Sequence, residues 1–83
     1  YSNDPNHPDF ANSYNNFGVL YKNKGDFEKA LEYLEKSYQI HQKVYSNNPN
    51  HPLIAYSLNK IGEVYEDKFD YEKALEFYEK SFE

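Results

Sequence analysis

Apolar residues recur along the first third of the chain at Phe10, Tyr14, Phe17 and Tyr21, spaced by four, three and four, with Ala11 and Gly18 on the same stripe. That period is helical, and it predicts a helix A over about 8–23. Pro8 suits the first turn, Asp9 places negative charge at the positive end of the helix dipole, and Lys22 and Lys24 stand at the other end. Asn23-Lys24-Gly25 breaks the pattern, and Asp26 offers an N-cap carboxylate to a second helix. This helix B, over about 27–45, carries apolar residues at 27, 30, 31, 34, 38, 40, 44 and 45, with Glu32 set four residues before Lys36 for an ion pair. Ser46-Asn47-Asn48-Pro49-Asn50 reads as a turn. Beyond it the same two patterns return, predicting a helix A over about 52–67 and a helix B over about 71–83.

Comparison of the chain with itself explains the return. A shift of 44 residues aligns 1–39 with 45–83 without a gap, and 22 of the 39 pairs are identical, among them Glu28-Lys29-Ala30-Leu31-Glu32 against Glu72-Lys73-Ala74-Leu75-Glu76. Most apolar mismatches exchange like for like, as in Phe10 for Ile54 and Phe17 for Ile61. The chain therefore divides into a repeat over 1–44 and a second over 45–83 whose helix B is shorter. The short loops require antiparallel packing within each repeat. Gly18 and Gly62, in mid-helix, would cost about 1 kcal/mol each against alanine, which predicts a close helix approach, with the Ala30 and Ala74 stretches as partners.

Tyr14, Phe17-Gly18, Tyr21, Ala30, Leu34 and Ser37, matched by Leu58, Ile61-Gly62, Tyr65, Ala74, Tyr78 and Ser81, resemble the tetratricopeptide repeat pattern. The period exceeds the usual 34 residues, and the proline that normally closes helix B is replaced by Gln42. The His-Pro-Asp-Phe-Ala opening at 7–11 and Tyr14-Asn15-Asn16-Phe17-Gly18 resemble the long-repeat branch typified by kinesin light chains. The resemblance implies an all-α fold: an α-solenoid of antiparallel helix-turn-helix repeats, about two of them, coiled as a right-handed superhelix. It also implies a concave face lined by helix A, here Asn12, Asn15, Asn16, Val19 and Lys22, then Tyr56, Asn59, Lys60, Glu63 and Glu66. Asparagine donates and accepts at once, so Asn15 and Asn59 are suited to the backbone of an extended peptide. The alternative is that they are ordinary polar residues on a wet helix face. Lys22 and Lys60 are opposed by Glu63 and Glu66, which disfavours an acidic peptide.

Composition narrows the functions. With 83 residues, only one small domain's worth of core is available, too little for separate cofactor and substrate domains. No cysteine is present, so disulfides, thiolate zinc sites and a thiol nucleophile are excluded. The net charge of -5, with all nine cations lysine, argues against nucleic acid. A mean hydropathy of -1.06, without an apolar run of about 18 residues, predicts a soluble, cytoplasmic chain with no membrane partner and no secretory signal. His7 and His51 are equivalent loop positions suited to helix starts, and His41 has no ligand-bearing residue four positions on, so no metal and no cofactor is expected. Sixteen aromatic residues, 10 Tyr and 6 Phe, read mainly as core, Tyr56 excepted.

The register begins at Tyr1, equivalent to Tyr45, and stops at Glu83, equivalent to Gln39, so an excerpt of a longer array is expected, with exposed apolar ends able to self-associate. The reading is a non-enzymatic protein-protein interaction module binding a peptide in its groove. Alternatives are a self-assembling structural repeat without a peptide ligand, and a regulatory segment of a larger enzyme.

Overall fold

The computed structural model describes residues 8–82, with side chains from Phe10 onward. His7, the side chain of Asp9, and Glu83 lie outside the described residues. Four helices follow one another: α1 (Pro8–Lys24), α2 (Phe27–Val44), α3 (Pro52–Asp67) and α4 (Tyr71–Phe82). No strand occurs among the described residues, and no helix there is long and apolar enough to cross a membrane.

Local chemistry sets the helix limits. Asp26 caps α2 by accepting a hydrogen bond from the Lys29 amide at 3.3 Å, and Asp70 accepts from the Lys73 amide at 3.4 Å, each relieving one orphan donor of a first turn. His51 does the same for α3, its Nδ1 accepting from the Leu53 amide at 3.1 Å, while Pro52 fills the first turn. Both α1 and α3 close in the same way. The amides of Asp26 and Asp70 return to the carbonyls of Tyr21 and Tyr65 at 2.9 and 2.8 Å. This closure demands a left-handed residue just before the aspartate; Gly25 supplies it with φ 87°, but its counterpart is Phe69, held at φ 67°.

Packing is antiparallel, as residue pairs of falling and rising number show. Tyr78 reaches Glu66 and Ser81 reaches Asn59 between α3 and α4, while Ser37 meets Ser57 between α2 and α3. The core joins α2 to α3 through Ala30, Leu34, Ile61 and Val64, all fully buried, with Tyr21, Phe27, Leu31, Tyr38, Tyr65 and Phe77 packed around them. The glycines mark close approaches, although the partner is not chiefly Ala30 or Ala74. A Cβ on Gly18 would stand 2.6 Å from Leu34 Cγ and 3.3 Å from the Ala30 carbonyl oxygen, and one on Gly62 would stand 2.8 Å from Tyr78 Cε1. The intruding residue is one turn beyond the alanine in each repeat, because that longer side chain lies across the glycine.

Two expectations about the core need correction. Tyr71, the counterpart of Phe27 on the apolar stripe of helix B, is 57% exposed, and Phe17 on that of helix A is 48% exposed. Tyr33, absent from the stripe read in the sequence, is instead the hub of the first repeat's aromatic cluster, with ring centroids 5.9, 5.4 and 5.6 Å from Tyr14, Phe17 and Tyr21. Phe77, its counterpart, stacks on Tyr65 at 5.6 Å. His41, read as an isolated helix residue, is buried.

Candidate functional site: the face shared by α1 and α3

The equivalent helices of the two repeats, α1 and α3, lie side by side, which brings the polar residues off their apolar stripes onto one face. Near its N-terminal end, Asn12, Asn15 and Asn16 of α1 and Leu53 and Tyr56 of α3 line an open depression of about 320 Å³. Further along, Lys22 crosses from α1 to α3, its Nζ 3.7 Å from Glu63 and 3.6 Å from Asp67. Lys60 Nζ is 3.4 Å from the same Glu63 and 5.3 Å from the centre of the Tyr56 ring. These partly exposed pairs contribute on the order of 1 kcal/mol or less each. Their chemical effect is larger: both groove cations are already neutralised, and Glu66 is left as further negative charge.

Glu66 is itself engaged. It accepts a 2.7 Å hydrogen bond from the Tyr78 hydroxyl. Burial first, then that bond and the charges of Glu66, Glu63 and Asp67, push the phenol well above its ordinary range, so it remains a donor.

The predicted site residues divide by environment. Asn12, Asn16 and Tyr56 are exposed, and Lys22, Lys60 and Glu63 are half-buried. Asn15 does not lie on an open wet face: it is only 5% exposed, and its Oδ1 is buried without a hydrogen-bond partner. Asn59 is exposed, yet its Oδ1 accepts from the Ser81 hydroxyl at 3.1 Å. The difference follows from Ser37, the counterpart of Ser81. Its hydroxyl lies 3.4 Å from Ser57, and the Asn15 carbonyl is left alone. Leu53 was not foreseen as a groove residue, because its counterpart is Asp9 and no period marked it.

A larger depression of about 460 Å³, with Tyr38, Gln42, Tyr45, Pro49 and Lys80 around a floor of Ile54 and Leu58, lies away from this face. It gathers no set of converging charges. At its edge the Tyr45 and His51 rings stack at 3.7 Å. Among the described residues no three His, Cys, Asp or Glu side chains come together as a metal site.

A chain of two stacked, antiparallel helix pairs with this internal period is a helical repeat protein. The family model of the tetratricopeptide repeat matches residues 9–83, and the chain belongs to that family. Neither the curated proteins nor the solved structures compared with it give a match. Tetratricopeptide repeats in general mediate protein-protein interaction and are non-catalytic.

Proposed function

We propose that the chain binds an extended peptide segment of a protein partner across the α1 and α3 face, without catalysis of its own. The observation that carries this reading is the open depression lined by Asn12, Asn15, Asn16, Leu53 and Tyr56. Exposed Asn12 and Asn16 offer both donors and acceptors there, and Tyr56 presents a ring on which an apolar or aromatic side chain stacks. Because Lys22 and Lys60 are held by Glu63 and Asp67, the face favours neutral or mixed peptides over acidic ones.

Selection from a random peptide display library, followed by calorimetry on the selected peptides, tests this. Binders should be free of Asp and Glu enrichment, and Asn15→Ala with Tyr56→Ala should weaken them at least about tenfold, or about 1.4 kcal/mol, while helix content is retained. Unchanged affinity in the folded double variant removes the groove reading.

A further inference from the structure

We infer that a second copy of this chain docks its α1 on α4, repeating between molecules the contact that α3 makes on α2 within one. The internal repeat supplies the occupant. Residues of the α2·α3 contact up to Gln39 have counterparts 44 positions away on α4 or α1, and several large apolar ones among those counterparts are exposed. On α3, Ile61 and Val64 are fully buried, whereas Phe17 and Leu20 at the same positions of α1 are 48% and 54% exposed. On α2, Phe27, Leu31 and Tyr38 are packed against the core, whereas Tyr71, Leu75 and Phe82 on α4 are 57%, 61% and 88% exposed. One molecule thus carries both halves of an interface it has already used once.

Polar groups agree with the register. Ser37 and Ser57, which meet at the buried α2·α3 seam, have identical counterparts in Ser81 and Ser13. Ser81, with no such partner, lies 2.6 Å from the Tyr78 carbonyl oxygen and 3.1 Å from Asn59 Oδ1; docking brings Ser13 of the second copy to it. Glu66, at the place of Lys22, would face Val19 and Asn23 of that copy, so no like charges oppose. Phe17, Leu20 and Tyr78 are bulkier than Ile61, Val64 and Leu34, which sets the stack wider than the internal seam and makes it weaker. The contact is heterologous, so it does not close at a dimer.

Sedimentation velocity of the 83-residue chain, from about 10 µM to about 1 mM, the range of weak association, should show weight-average mass rising past a dimer. Leu20→Lys and Leu75→Lys each disable one face at an exposed position. Each variant alone should be monomeric, and an equimolar mixture should form a dimer and nothing larger. Circular dichroism checks their helix content, and Phe82→Lys replaces Leu75→Lys should that variant unfold. A wild-type chain monomeric throughout, a folded Leu20→Lys that still dimerises alone, or folded variants that stay monomeric when mixed would each overturn the inference.

Discussion

At the scale of single residues, Phe69 carries the clearest local conflict. The αC-terminal closure of α3 requires a left-handed residue, and a β-carbon there costs roughly 1–2 kcal/mol. Phe69 sits at φ 67° where the first repeat has Gly25 at φ 87°, and its ring, 78% exposed, recovers little by burial. It touches Tyr71 edge-on at 6.3 Å, a small return. Phe69→Gly should therefore stabilise the chain by about 1 kcal/mol, raising Tm by roughly 4–8 °C for a domain of this size. Thermal unfolding followed by circular dichroism measures it, and an unchanged or lower Tm contradicts the strain account.

Between elements, the decisive contacts are the two glycine crossings. Gly18 lies under Leu34, which is fully buried and has nowhere to move, whereas Gly62 lies under the half-buried Tyr78 ring. Replacing either by alanine gains about 1 kcal/mol of helix propensity against an overpacking cost of about 1–3 kcal/mol. The balance differs by site. Gly18→Ala should lose up to about 2 kcal/mol net, and Gly62→Ala less, as denaturant melts of the two variants will register; a larger loss at Gly62 would put the tighter crossing in the wrong repeat. The helix pattern, the aspartate caps and the Glu32–Lys36 pair, observed at 3.6 Å, were readable from spacing alone, because each depends on neighbours three or four residues away. Tyr33 was not. It lies off the narrow stripe of α2, and only the arrival of Tyr14, Phe17 and Tyr21 from α1 makes it a packing centre.

For the molecule as a whole, the junction between repeats is where acidity acts. His41 on α2 is 1% exposed, its Nδ1 has no partner, and its ring lies 6.0 Å from that of Tyr45, on which His51 stacks in turn. Desolvation, and secondarily the charge of His51, lowers its pKa below the ordinary 6.5. The folded state then binds fewer protons than the unfolded one, so this stability is full above about pH 6.5 and is lost as pH falls below it towards the folded-state pKa. Tm should decline between about pH 7 and about pH 5.5, and His41→Phe should flatten that decline. An equal slope in the variant would assign the effect to other groups.

The same junction separates what each level determined. Period, caps and the 44-residue self-similarity are properties of order along the chain, so the all-α repeat architecture was fixed by sequence, and with it the set of polar positions on helix A. Which of those positions meet solvent is a property of neighbours in space. Asn15 and Asn59 are identical in sequence and stand at equivalent places, yet Asn15 is buried with an orphan carbonyl and Asn59 is exposed and bonded to Ser81. Only stacking distinguishes them: α3 rests on α2 and takes Ser37 away, while among the described residues no helix rests on α4 in the same way, and no local pattern encodes that difference.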